Sequence, residues 1–282
     1  MNTTTNIAIN NSRFDNSMTE AMDSGAKNEI RVMSYNVQVG INSARLHHYF
    51  THSWKHVIPH SQRIVNMNHI ANIIQQYDIV GLQEVDAGSL RSNFINLTEY
   101  LAERSKFPFW FHQVNRNLGR FAQHSNGMVS RIKPTEVQSL KLPGIIPGRR
   151  AIMAKFQTTE DPIVFFILHL SLTGRARLNQ LAFIAEHVNE YKHAVVMGDM
   201  NCRPGSHEMC MLFNRTNLHE PLEDKFTFPS WKPQHNIDHI LVTSGLKVSS
   251  VQVDTQQFSD HLPISLKITL PDSVYLTSED IT

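Results

Sequence analysis

The chain has 282 residues, 41% of them hydrophobic, with 26 Lys and Arg against 25 Asp and Glu and a formal net charge of +1. That composition excludes collagen-like, repetitive and disordered classes, and the length suits one large globular domain or two modest ones; a grip on nucleic acid through whole-surface positive charge has no support. No apolar run approaches the roughly 18 residues of a membrane span, and two cysteines, Cys202 and Cys210, make no disulfide framework, so a reducing, cytoplasmic setting is the expectation.

Residues 1–28 are rich in Asn, Thr and Ser, lack periodicity, and show neither a basic n-region nor an apolar h-region. They are expected to be a disordered arm and not a secretory signal. From Glu29 the texture changes. IRVMSYNV (Ile30 to Val37) reads as a strand, Arg63 to Gln76 as a helix with Ile64, Met67, Ile70, Ala71 and Ile74 on one face, and VGLQEV as a buried strand. FWFHQV, GMVSRI, AIMAKF, IVFFILHL and AVVMGDM are further strands, and Arg175 to Tyr191 is an amphipathic helix built on Leu178, Leu181, Ala182, Ala185 and Val188. After about residue 200 strands dominate, IDHILV among them, to Leu270. With no composition break after residue 28, a single α/β domain over residues 29–271 is expected, followed by a short tail over 272–282.

Polar residues gather where these strands stop. Asn36, Gln83-Glu84, His169, Asp199 with Asn201, Asp238-His239 and Asp260-His261 each close or follow an apolar run. Turn chemistry explains an Asp or Asn at a strand end taken singly, but it does not explain Gln83-Glu84 or His169. Sites in layered α/β folds form where strand ends converge. On an extended chain Asp199 and Asn201 point to one side, whereas His239 faces away from Asp238 and is read as structural.

SYNV, GLQEVD, HLSL, GDMN, NIDHILV and SDHLP, in that order from about Ile30 to Leu270, resemble the endonuclease/exonuclease/phosphatase superfamily with the deoxyribonuclease I-like fold. The resemblance implies a four-layer α/β/β/α sandwich of two packed sheets flanked by helices. It implies a metal-dependent phosphoester hydrolase using Mg2+, with Mn2+ as a substitute. Glu84, Asn36 and Asp260 correspond to the metal side, hard oxygen donors of the kind magnesium prefers. Asp199 corresponds to the group that orients or deprotonates the attacking water and Asn201 to a donor to the phosphate. His261 corresponds to a residue close to the scissile phosphate with Asp238 fixing its tautomer, and His169 to a phosphate-contacting or leaving-group-assisting residue.

Outside those motifs the reading is more open. Arg177 and Gln180 open a helix after His169 and are candidates for substrate binding, against the alternative of a solvated helix face. Arg149 with Arg150, Arg116, Arg120 and Lys141 could form a phosphate-binding rim. Trp231 in FPSWKP could stack on a base. LPGIIPG reads as a loop, while PFWF is better explained by burial. His48, His52 and His56 stand four apart, a metal-ligand spacing on a helix, yet imidazoles do not define a magnesium site; packing around Trp54, a solvated helix or a polar lip over the cleft are the alternatives.

The expected activity is hydrolysis of a phosphodiester by attack of an activated water, with nucleic acid as the favoured substrate. The alternatives are a phospholipid, sphingomyelin or inositol phosphate headgroup, or a non-catalytic module on the same fold. The complete set of motif residues disfavours the last, and no protein partner is implied.

Overall fold

Two central strands set the architecture. IVFFILH (Ile163–His169) and HAVVMGD (His193–Asp199) are buried along their whole length and pair in parallel, as strands covered on both faces do. The computed structural model describes residues 5–6, 10–11, 28–38, 60–88, 95–117, 123–144, 148–221, 225–272 and 274–276. In one seven-stranded sheet the order is β1 (Thr5–Asn6), β7 (Glu136–Lys141), β8 (Arg150–Phe156), β9 (Ile163–His169), β10 (His193–Asp199), β12 (Asp238–Thr243) and β11 (Leu218–His219). In the other, also of seven strands, it is β13 (Lys247–Val253), β14 (Ile264–Thr269), β3 (Glu29–Asn36), β4 (Ile79–Asp86), β6 (Gln123–Ser130), β5 (Phe109–Asn117) and β2 (Asn10–Asn11).

The inner faces of the two sheets share one core that includes Val32, Ile79, Phe111, Ile152, Phe165, Ile167, Met197, Ile240 and Leu266. Helices cover the outer faces. Helix α3 (Gly174–Val188) presents Leu181, Ile184, Ala185 and Val188, the i, i+3, i+4, i+7 stripe of an amphipathic helix, to the first sheet beside α4 (His207–Arg215). Helix α1 (His60–Ile74) and α2 (Leu97–Arg104) cover the second sheet with Met67, Ile70, Ile74, Leu97 and Leu101. The result is the α/β/β/α sandwich. The two short helices, absent from the sequence reading, are capped: Asn96 accepts from the amides of Thr98 and Glu99, and Ser206 from that of Met209.

Short described segments at both chain ends pair with or pack on the domain. Within residues 1–28, Thr5–Asn6 pair with β7 and Asn10–Asn11 with β5, so the arm touches an edge of each sheet; such pairing covers otherwise open edges. Beyond 271, Val274 and Leu276 join the inter-sheet core and Leu276 bridges Thr158, because a tail with alternating apolar residues finds an apolar surface to cover. PFWF is buried at Phe109, Trp110 and Phe111, as expected. Arg120, most of the histidine-rich stretch and Ile145 to Pro147 lie outside the described residues.

Candidate active site

Strand register builds half of the site. In β9, β10 and β12, His169 pairs with Asp199 and Asp199 with Asp238, so three polar residues form one row across the ends of adjacent strands. Residues in one row point to one side of a sheet, about 4.8 Å apart. Gly198, just before Asp199, has φ of +141° and lies so close to Leu168 that a Cβ would meet its carbonyl oxygen at 2.0 Å. Only glycine lets β10 carry Asp199 to this point.

The second sheet supplies the facing half. Asn36 ends β3, and its Nδ2 donates to Asp199 Oδ2 at 3.0 Å, joining residues from the two sheets. The ladder between β4 and β6 shifts between Leu82 and Val85, and Glu84 has φ of +57° within that bulge. Bulges re-aim side chains: Glu84 Oε1 stands 3.9 Å from His169 Nε2, which is 3.6 Å from Asp199 Oδ2. Asp260 arrives on the loop before β14. Ser259 Oγ donates to the carbonyl of Asn36 at 2.7 Å and lies 3.2 Å from Asp260 Oδ1, tying that loop to β3.

Asp199 is 2% exposed. Its Oδ1 accepts from the amide of Asn201 at 2.9 Å, and Asn201, with φ of +52°, donates its own Nδ2 to the Leu170 carbonyl at 3.0 Å. Burial, followed by the negative charges of Asp238 and Glu84, pushes the Asp199 carboxyl up to about 7 against the opposing pull of His261. His261 behaves oppositely. Burial disfavours its charge, but Asp238, then Asp199 and Asp260, outweigh it and raise the imidazole to about 10. His261 Nδ1 lies 2.8 Å from Asp238 Oδ2, so that nitrogen carries a proton and the ring presents Nε2 to Asp199 at 3.9 Å. Two contacts unforeseen from sequence hold this pair: Thr227 Oγ1 donates to Asp238 Oδ2, and the Phe228 ring packs on His261 with centroids 4.7 Å apart.

The donor set fits a hard dication. Burial, and after it the charge of Glu84, push Asp260 up to about 6 against the opposing pull of His261. Glu84 is partly open to solvent, and Asn36 Oδ1, which accepts from the Gln38 amide at 3.2 Å, adds a neutral oxygen. Asp199, Asp238 and His261 also stand close enough to share an ion, their ligand atoms within 4.8 Å of one another. Asp238 Oδ2, however, already accepts from Thr227 and His261, and an imidazole is a poor choice for magnesium. The oxygen set of Glu84, Asp260 and Asn36 is the better match.

The second-tier residues fall elsewhere. Arg177 pairs with Glu208 through Nη2 at 2.7 Å and donates Nη1 to the Leu172 carbonyl at 2.6 Å, clamping α3 to α4 and to the loop after His169. Gln180 holds the same loop: its Oε1 accepts from the Ser171 amide and its Nε2 donates to Ser171 Oγ, both at 3.0 Å. Candidates for substrate binding or for a solvated helix face, both side chains are bound to the loop after His169. Arg149 Nη1 donates to the His169 carbonyl at 3.1 Å. Trp231 is half-buried beside Ser230, whose amide donates to the Asp260 carbonyl at 2.7 Å. His239 is structural as expected: both its nitrogens are engaged, by Glu220 and by the Cys202 carbonyl.

Residues 33–261 match the model of the Endonuclease/Exonuclease/phosphatase family. No curated protein sequence matches the chain. Among solved structures, an endonuclease/exonuclease/phosphatase from Bacteroides vulgatus is similar with a TM-score of 0.68 at 17% identity, over 86% of this chain and 100% of that one. The mannosyl-6-phosphatase of Bacteroides thetaiotaomicron gives 0.65 at 18% identity, over 86% and 100%. D. rerio TDP2, complexed with single-strand DNA product, gives 0.62 at 15% identity, over 86% and 100%.

Proposed function

The chain belongs to the endonuclease/exonuclease/phosphatase family and is a phosphoester hydrolase, and from that premise we propose that it is a phosphodiesterase cleaving nucleic acid, with Asp199 as the group that activates water. The observation that carries this reading is the setting of Asp199: one carboxylate from the row His169, Asp199, Asp238, held by Asn36 and Asn201 and faced by Nε2 of two histidines.

A carboxylate with its pKa near 7 is matched to accept a proton from water at neutral pH. Hydrogen bonds to both of its oxygens fix its direction. His261, kept cationic by Asp238, is a donor to a phosphoryl oxygen as negative charge builds there, a role that suits its elevated pKa better than that of base. His169 stands between Glu84 and Asp199 and offers Nε2 to the phosphate or to the departing oxygen. Glu84, Asp260 and Asn36 would hold the magnesium ion, with manganese as substitute, which when bound neutralises charge on the phosphoryl oxygens and polarises the phosphorus.

What supports a nucleic acid substrate is the indole of Trp231, half-buried on the loop bonded to Asp260, a surface on which a base can stack. A second reading is favoured by Leu172 and Phe226, 75% and 50% exposed, each within three residues of a site element: a phospholipid, sphingomyelin or inositol phosphate headgroup carried beside an apolar chain. Turnover of bis-p-nitrophenyl phosphate with magnesium or manganese, followed by a panel of single-stranded DNA, RNA, sphingomyelin and phosphoinositides, tests both. Nucleic acid cleavage that weakens steeply with salt is the expected result. Sphingomyelin or phosphoinositide as the sole substrate overturns the first reading, and no turnover with either metal overturns the site.

A further inference from the structure

Two residues past Asn201 the chain carries Arg203, an exposed side chain whose Nη2 lies 2.9 Å from Nδ1 of His235. A guanidinium has five N–H donors and no acceptor. His235 Nδ1 is therefore the acceptor, and the neutral ring carries its proton on Nε2. Beyond their mutual contact the pair thus offers only donors, the remaining guanidinium N–H groups and the imidazole Nε2–H. Among the described residues no carboxylate lies within ion-pair distance of Arg203, in contrast to Arg177 with Glu208 and Arg31 with Asp78.

The position of the pair gives these donors a purpose. The His235 ring stacks on Phe228 with centroids 6.4 Å apart, and Phe228 packs on His261 at 4.7 Å, so the pair sits two ring contacts from the reacting centre. The Thr227 amide donates to the His235 carbonyl at 2.9 Å while its hydroxyl donates to Asp238. Phe226, immediately before it, leaves half of its surface open. A cationic fork with no ion pair among the described residues and an open aromatic face thus lie beside a site that handles one phosphate.

We propose that Arg203 and His235 bind the phosphate neighbouring the scissile one in a polynucleotide, with the Phe226 ring as the surface on which a base rests. The proposal rests on the nucleic acid reading and narrows it: a substrate with two or more successive phosphates is preferred over an isolated diester. A guanidinium fork matches two oxygens of a phosphate, an ammonium only one point of charge.

The test uses the full chain and three substrates: bis-p-nitrophenyl phosphate and a thymidine dinucleotide, each with one phosphodiester, and a thymidine oligonucleotide with several. In Arg203→Gln the KM for the oligonucleotide is expected to rise about tenfold with kcat little changed, as befits one lost charge-assisted contact. The ratio of oligonucleotide to bis-p-nitrophenyl phosphate kcat/KM falls by the same factor. The slope of log kcat/KM against log salt on the oligonucleotide becomes shallower by about 0.7, the value for one contact to a single strand. Arg203→Lys recovers part of the KM. A loss shared equally by all three substrates, or a wild-type KM on the oligonucleotide, overturns the subsite alone. Wild-type protein that hydrolyses bis-p-nitrophenyl phosphate but no oligonucleotide overturns the nucleic acid reading and the subsite with it.

Discussion

Strand β12 begins with two adjacent residues that face opposite ways, and each joins a carboxylate–imidazole pair. On one face His261 Nδ1 meets Asp238 Oδ2 at 2.8 Å; on the other His239 Nδ1 meets Glu220 Oε1 at 2.6 Å. Both rings are buried, and in both the neighbouring carboxylates outweigh burial and raise the imidazole above its usual 6.5. The second nitrogen separates them. His239 Nε2 is held by the Cys202 carbonyl at 2.8 Å, whereas His261 Nε2 faces Asp199 at 3.9 Å, beyond hydrogen-bond reach. A pair with both nitrogens engaged belongs to the scaffold. The same pair with one ring nitrogen left toward Asp199 is available for chemistry, and Asp199 and Asp260 beside it have raised pKa values.

Removing the group that His261 faces should have the largest effect. Asp199→Asn is nearly isosteric and can keep the bond from the Asn201 amide, but it gives up the one from Asn36 and cannot accept a proton, so turnover of bis-p-nitrophenyl phosphate should fall about 10²–10⁴-fold while the protein stays folded. Retention of more than a tenth of the activity would move the base elsewhere. Glu220→Ala acts on the scaffold pair. It leaves a buried imidazolium without its carboxylate, and urea unfolding should show a loss of about 3–5 kcal/mol. The kcat per folded molecule should stay near wild type, and a selective fall in kcat would bring His239 into the site.

Asp238→Asn is the matched change on the other face. It frees the His261 ring from its orienting carboxylate, and kcat should fall about 10–100-fold. Because Asp238 also repels Asp199, its loss relieves one unfavourable interaction, so the urea midpoint should move less than in Glu220→Ala. If instead Asp238→Asn unfolds the protein and Glu220→Ala silences it, the two pairs have been assigned the wrong way round.

How much of this was legible beforehand depends on range. The strands and the site motifs were readable because each is a local string: an apolar run that turns polar at one end, as at Gln83-Glu84 and His169. The row His169, Asp199, Asp238 was not, since it depends on which strands pair and in what register. The partner of Arg177 was not legible either, because the acceptor that claims its guanidinium, Glu208, lies 31 residues further on. Arg203 and His235, 32 residues apart, carry no shared motif. Helices α2 and α4 span 8 and 9 residues, too short for periodicity to announce them. The edge pairing of Thr5–Asn6 and Asn10–Asn11 ran against a composition with little strand preference.

Another buried histidine sharpens the contrast, since among the described residues it pairs with no carboxylate. His193 opens β10 with 1% exposure, and neither ring nitrogen has a hydrogen-bond partner among the described residues. Burial, then the nearby charge of Lys192, pushes its pKa below 6.5, the reverse of His239 and His261, while Asp161 and Glu160 oppose weakly. A folded-state pKa below the unfolded one means that the unfolded chain binds the extra proton first. The neutral ring therefore leaves stability intact above about pH 6.5 and drains it as pH falls below that value, with a slope of at most about 1.4 kcal/mol per pH unit for one proton. His193→Leu removes the titration and suits the apolar surroundings. Urea unfolding at pH 7.5 and 5.5 should show a smaller acid-side loss in the variant than in the wild type, the other histidines contributing equally to both. Parallel losses in the two proteins would mean that His193 takes up its proton in the folded state as readily as in the unfolded chain, and that a carboxylate or water reaches the ring after all.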